Sequence, residues 1–315
     1  MQLEKRLLLI LLLNSGWASN ASAGDAIDTS LAVPATAVIS INNTRGAVAI
    51  IGWDQAQVSI KGELDDLAEA LVFGADEGLI VIDVKMPRQD LNWGNGSDLT
   101  IQVPHSSRVK FVGVSSEVKI ESVRGGVQLQ SISGDLRARK IEGQLIMNNV
   151  SGDIIIEDVA GSVLASTISG DLALSVTATE VRLDTVSGDL VIEMAAIDHL
   201  AARSVSGRME VVGELNPAGQ IDLSSVSGDI RLGLQAGLNA TVDLDGGMSG
   251  AIENRLSKLE AQTHFPARQR LNAVFGDGKG RGSYCLRGYY ARGGLITRCD
   301  RISFQAGSRL ASQPV

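Results

Sequence analysis

Four aspartates, Asp135, Asp153, Asp171 and Asp189, recur at every eighteenth position, each closing a Ser-Gly-Asp triplet. Carboxylates repeated in register have the clearest chemical potential in this chain. On neighbouring strands they would stand about 4.8 Å apart, close enough to repel, and such a row could hold calcium. Calcium, however, takes about six to eight oxygens per ion. Calcium-binding nonapeptide rolls also carry Gly-Gly-x-Gly-x-Asp turns on both sides of each coil. Here the alternate turns read Glu142-Gly143-Gln144 and Ala160-Gly161-Ser162. The plainer expectation is that each Asp bonds backbone amides of its own turn and that no cofactor is bound.

Other groups offer less. The chain has three His, His105, His199 and His264, and His199 stands where the repeat is broken by Ala195-Ala196-Ile197-Asp198 and could mark a bulge. Glu117, Asp158, Asp184 and Glu193 are scattered polar residues, and no nucleophile–base spacing, phosphate loop or metal-ligand cluster is present. Catalytic and metal residues are therefore expected to be absent. Trp93, in a Gly/Asn-rich loop, and Tyr289 and Tyr290 beside Arg287 and Arg292 form the candidate binding surface. Cys285 and Cys299 lie close together in sequence near the C-terminus. In an exported protein they are expected to form a disulfide stapling the last coil; two free thiols are the alternative.

Export is the reading of residues 1–23. Lys5 and Arg6 precede seven apolar residues, Leu7 to Leu13, and Ala21-Ser22-Ala23 is a small-x-small cleavage site. A retained anchor is the competing reading, but seven apolar residues fall well short of the ~20 that span a bilayer. No transmembrane segment is expected in the mature chain, which would be periplasmic, surface-bound or secreted from a bacterium. The 315 residues are 44% apolar, too apolar for a disordered chain, and the net charge of −8 with no basic run argues against nucleic acid.

These residues are positioned by a repeat. After the four triplets the spacing drifts through Ser206-Gly207-Arg208 to Ser227-Gly228-Asp229. Intervening turns halve the interval to nine residues, a strand and a turn. Counting from the Ser, position 4 is Leu136, Leu145, Ile154, Val163, Leu172, Val181, Leu190, and position 6 is Ala138, Met147, Ile156, Ala165, Leu174, Leu183, Ile192. Position 9 is Ile141, Val150, Val159, Ile168, Thr177, Val186, Ala195, whereas position 7 is polar throughout. Period-2 alternation indicates strands, and positions 4, 6 and 9 are expected to supply three side chains per unit to a common interior. So short a unit cannot bury them alone; stacked units can. The expected fold is all-β, a parallel β-solenoid of about eighteen residues per coil. Its repeat turns fall at Gly134, Asp135, Gly152, Asp153, Gly170, Asp171, Gly188, Asp189, Gly228 and Asp229, with Gly supplying positive φ.

The expected organisation is a signal peptide at 1–23, an N-terminal β region at 24–110 capping the solenoid, regular repeats at 111–255, and C-terminal coils with a cap at 256–315. Asp65 to Leu71 reads as one short helical turn, and 87–98 as a polar loop.

Three stretches carry a family resemblance: Gly46-Ala47-Val48-Ala49-Ile50-Ile51-Gly52-Trp53-Asp54, then Leu99-Thr100-Ile101-Gln102-Val103-Pro104, then the serial Val/Ile-Ser-Gly-Asp-Leu/Ile units. Over about residues 35–300 the chain resembles the bacterial "putative adhesin" family, exported domains of unknown function. The resemblance implies a single-stranded, right-handed parallel β-helix and brings no catalytic residues. The Cys pair and the Arg-rich strands at the C-terminus depart from its pattern. The function expected is a non-enzymatic binding or scaffold surface for an unidentified protein or glycan of the cell envelope. The competing reading is a degenerate β-helix enzyme acting on envelope polysaccharide, which would show a carboxylate cleft on one face.

Overall fold

The computed structural model describes residues 26–76, 78–87, 94–234, 239–247, 250–253, 258–264 and 268–275, and the backbone of 280–283 and 302–304. The regular elements in these residues are strands, joined in one continuous hydrogen-bonded sheet, and none is a helix. The sheet winds as a parallel solenoid with two strands per coil. Leu136–Arg139 and Glu142–Asn148 make one coil, and Ile154–Glu157 and Ala160–Ser169 make the next. Leu136 pairs with Ile154 and Ile154 with Leu172, so each step in this part of the stack is one eighteen-residue coil. The step becomes 19 from Leu190 to Met209 and 21 from Met209 to Ile230. The first added residue lies between Met194, which pairs with Val176, and His199, which pairs with Glu180, and the register against the following coil shifts on both sides of Ile197, so His199 stands at an irregularity of the stack.

Alternation fixes the interior. In Ile154–Glu157 the first and third residues are buried and the fourth is exposed. Stacking repeats this on every coil, so Leu136, Ile154, Leu172 and Leu190 form one buried column. Opposite it, Leu145, Val163, Val181 and Leu200 form another. Position 9 does not behave as one class. Ile141 and Val159 are buried, but Val150, Ile168 and Val186 are 41%, 52% and 45% exposed. The two turns of a coil differ, so residues equivalent by nine are not equivalent in space; only the full-coil repeat is structural.

The stack begins earlier than position 111. Val38–Trp53 runs parallel beside Arg108–Glu121, which spans the expected boundary at 110. On its other edge lie Leu79–Lys85 and Ser97–Pro104, a coil that follows it in sequence but precedes it in the stack. Antiparallel strands close this end: Ala70–Asp76 on Leu79–Lys85, and Gln57–Glu63, itself edged by Ala26–Ala32, on Ser97–Pro104. The helical turn expected at Asp65 to Leu71 is not formed. Asp65 accepts the Leu67 N–H at 2.8 Å, a tight Asx-type turn, and a strand begins at Ala70. At the other end Gly280–Ser283 pairs on one side with the strand containing Gln220 and on the other with Ala240–Asp245, so a late segment again inserts into the stack.

Candidate functional site

The densest set of repeated polar and exposed side chains lies at the corner that ends each longer strand. In sequence the corner reads Asn149-Val150-Ser151-Gly152-Asp153, then Thr167-Ile168-Ser169-Gly170-Asp171, then Thr185-Val186-Ser187-Gly188-Asp189. The first residue turns inward, and Ser131, Asn149, Thr167 and Ser204 close their corners. The Ser131 hydroxyl donates to the Ser133 carbonyl at 3.0 Å, Asn149 Nδ2 to Ser151 at 3.0 Å, and Ser204 to Ser206 at 3.1 Å. Asn149 Nδ2 also reaches the Gly134 carbonyl on the preceding coil at 2.9 Å. Bonding its own backbone two residues on is what Ser, Thr and Asn do at turns.

The second residue points outward, giving the exposed row Val114, Ile132, Val150, Ile168, Val186, Val205. The serines that follow pair from coil to coil, Ser115 with Ser133, Ser133 with Ser151, and Ser151 with Ser169. The glycine is required on two counts. Gly188 has φ +133°, and a Cβ there would lie 2.1 Å from the Gly170 carbonyl oxygen. The coils approach so closely here that no other side chain fits.

Each aspartate bonds the next coil rather than its own turn. Asp135 Oδ1 accepts the N–H of Asp153 at 3.0 Å, Asp153 that of Asp171 at 2.9 Å, and Asp171 that of Asp189 at 2.8 Å. Asp189 accepts the N–H of Arg208 at 2.7 Å. This corrects the expectation that each Asp caps its own turn: the amide nearest each carboxylate belongs to the equivalent residue one coil on. The donated N–H offsets part of the repulsion along the row. The row then stops. Arg208 stands where a carboxylate would, and the buried Asp229 Oδ1 has no hydrogen-bond partner among the described residues.

The remaining ionisable groups are dispersed along the stack. Glu117 lies 3.0 Å from Lys119, and Asp158 3.9 Å from Arg139. His105 Nδ1 donates to the Ser122 carbonyl at 2.6 Å, whereas His199 lies on a later coil, in register with Glu180 and Gln220. Among the described residues no three of His, Cys, Asp and Glu converge on one point. Trp93, Arg287, Tyr289, Tyr290, Arg292 and the Cys285–Cys299 pair lie outside the described residues, as do residues 1–23.

Sequence reasoning missed two ion-pair centres, one at each end. Asp65, its side chain wholly covered, accepts both Arg45 Nε and Arg45 Nη2, the latter at 2.9 Å, and the Gly96 N–H at 3.1 Å. Its carboxyl is held below the ordinary range chiefly by the Arg45 hydrogen bond, against burial, with help from the Leu67 and Gly96 amides. Asp245 sits between Arg268 and Arg270; burial pushes its carboxyl up, but the Arg268 bond, the Gly247 N–H and both guanidinium charges outweigh that and leave it lowered. The outward row was missed too, although its signal was present. From Ser131 onward the small polar residue before each Val or Ile recurs once per coil, not at every nine-residue unit.

Comparison with known proteins identifies the family. Residues 37–264 match the family described as Toastrack DUF4097, and the chain belongs to it. No curated protein is similar to the chain. Among solved structures, a "putative adhesin" from Bacteroides fragilis is 16% identical with a TM-score of 0.37, covering 67% of this chain and 89% of its own. A "putative adhesin" from Parabacteroides merdae is 10% identical with a TM-score of 0.43, covering 68% and 90%. A "putative lipid binding protein" from Parabacteroides distasonis is 14% identical with a TM-score of 0.39, covering 68% and 91%.

Proposed function

We propose that this member of the Toastrack family is an exported, non-enzymatic protein of the bacterial cell envelope whose solenoid offers a binding or scaffold surface. One observation carries the reading: the row from Val114 to Val205 exposes branched aliphatic side chains at every coil, on a backbone whose spacing is set by hydrogen bonds. Exposed apolar groups gathered in a line mark contact surfaces, whereas single ones do not. The non-enzymatic part is supported by the carboxylates of the repeated row, Asp135 to Asp189, each of which accepts a backbone amide from the next coil. Export is supported by the charged, apolar and small-residue pattern of residues 1–23. Trp93, Arg287, Tyr289, Tyr290 and Arg292 are the further candidate contacts.

The test is retention of the full chain, purified after export, on separated envelope fractions: peptidoglycan, lipopolysaccharide and outer-membrane proteins. Saturable retention on one fraction, reduced when the corner row, Trp93 or the Arg287–Arg292 segment is altered, is expected. Chemical change in a glycan sample without retention would overturn the reading in favour of an enzyme.

A further inference from the structure

We infer that Asn95 is a site of covalent self-modification: its side-chain amide is lost by deamidation, and the product loosens the closure of the N-terminal end. Asn95-Gly96 is the one Asn-Gly pair in the chain. Asparagine is a thermolabile residue, and most so before glycine, where no side chain shields the following amide nitrogen. That nitrogen attacks Cγ of the asparagine. The N–Cγ bond forms, the Cγ–Nδ2 bond breaks, and ammonia leaves with the proton of the attacking amide. Water then opens the cyclic imide at either carbonyl, leaving aspartate or isoaspartate.

The fold requires this pair and leaves it accessible. Gly96 has φ +82°, and a Cβ there would lie 2.7 Å from Gly46 Cα, so only glycine fits after Asn95. Asn95 itself is exposed and lies outside the ladder, which begins at Ser97. Both reacting groups are held by neighbouring carboxylates. The leaving amide, Asn95 Nδ2, donates to Asp66 Oδ2 at 2.8 Å, and the attacking amide, the Gly96 N–H, donates to Asp65 Oδ2 at 3.1 Å. Cyclisation needs both bonds released. The one to Asp66 lies at the surface, where local opening costs least, so these two bonds set the rate.

Conversion acts on the closing site itself. A carboxylate at position 95 replaces the donor that Asp66 held and adds a negative charge beside Asp65 and Asp66. In isoaspartate the main chain also gains a methylene, which shifts the Gly96 N–H away from Asp65. Asp65 ties Arg45 and, through its own N–H, the Ser97 hydroxyl to this turn. The disturbance therefore reaches Ser97–Pro104 and the strand Gln57–Glu63 paired with it.

Ageing of the full chain at mildly alkaline pH, followed by peptide mapping, tests this. The tryptic peptide 89–108 carries both Asn92 and Asn95. Its fragments are expected to show aspartate and isoaspartate at position 95, with Asn92, which precedes Trp, unchanged. Conversion should be severalfold faster in Asp66→Ala, an exposed position, with circular dichroism verifying the fold. Amide exchange in Ser97–Pro104 should rise in step with conversion and stay flat in Asn95→Gln aged alongside, because glutamine cyclises far more slowly. Asn95→Asp, which supplies the charge without the methylene, should show part of the rise at once. An Asn95 amide kept in wild type and in Asp66→Ala, while the guanidinium-unfolded chain loses it, overturns the site. Equal rates in the two folded chains overturn the hold by Asp66, and conversion without a rise in exchange overturns the loosening.

Discussion

The middle of the solenoid and its N-terminal end are held together by different means. From Leu136 to Ile192 every coil repeats the same devices: two inward aliphatics per strand, a glycine at positive φ, an inward polar residue at the corner, and an Asp that accepts the amide one coil on. Around Asp65 nothing repeats. One covered carboxylate gathers Arg45, the Leu67 and Gly96 amides and, through its own N–H, the Ser97 hydroxyl at 3.0 Å. A periodic region divides its stability among many small equal terms. An end that stops a stack has no neighbour to supply half of its bonds, and concentrates stability in one site.

The sharpest test of this contrast lies in the middle. Gly188→Ala should cost about 4 kcal/mol, because it combines positive-φ strain with a methyl driven against the Gly170 carbonyl. Coil spacing is common to all rungs, so the damage should spread. Denaturant unfolding should lose cooperativity, and amide exchange should rise on the coils on both sides of Gly188. Protection lost at one coil only would mean that the coils are energetically separate.

Next in size is the end. Asp65→Asn should cost about 3 kcal/mol, since it removes the carboxylate charge that the partly buried Arg45 meets. Its amide exchange should rise in Gln57–Glu63 and Ser97–Pro104 while the middle coils keep their protection. The same site sets acid sensitivity. The Asp65 carboxyl in the folded chain lies below its ordinary value of 3.8, so its stabilisation is fully present above that value and is lost as pH falls through the folded one. Asp245 acts in the same direction at the other end. The midpoint of thermal unfolding should therefore drop steeply once the pH is below 3.8, and the slope should be shallower in Asp65→Asn.

That contrast also explains what could be read from the residues alone. The inward columns through Leu136 and Leu145 were legible because each position is repeated on every coil. The outward turn of Val150, Ile168 and Val186 was hidden by averaging over nine residues two corners that differ. The Asp row was legible as a row, but spacing does not say which amide a carboxylate meets, and the partner proved to be the next coil. Asp65 was not legible at all. Its partners are 20, 31 and 32 residues away, and no period links them. The coil at 79–104, placed before its predecessor in the stack, was obscure for the same reason.

A smaller effect separates the interior of the Asp row from its end. Asp171 Oδ1 accepts the Asp189 N–H, so Asp171→Ala should cost about 1 kcal/mol, the worth of an exposed charge-assisted bond. Asp229 Oδ1 accepts nothing among the described residues, and Asp229→Ala should change stability by less than ~0.5 kcal/mol. Equal losses in chemical denaturation would mean that the carboxylates act through their charge and not through the coil-to-coil bond.

The smallest effect should have opposite signs at two neighbouring rungs. Thr167 Oγ1 donates to the Ser169 carbonyl at 3.4 Å, as Ser131 and Ser204 do more closely on their own coils. Thr185 occupies the same inward position one coil on, yet its buried Oγ1 has no partner among the described residues. A buried hydroxyl without a partner loses its hydration for nothing, so removing it should help. Thr185→Val should therefore be neutral or stabilising by up to ~1 kcal/mol, while Thr167→Val should lose about 0.5 kcal/mol. Both substitutions keep a branched side chain in the same space, so packing changes little and the sign reports the hydrogen bond. Equal destabilisation of both would mean that the Thr185 hydroxyl finds a partner in solution and that the inward row closes every corner alike.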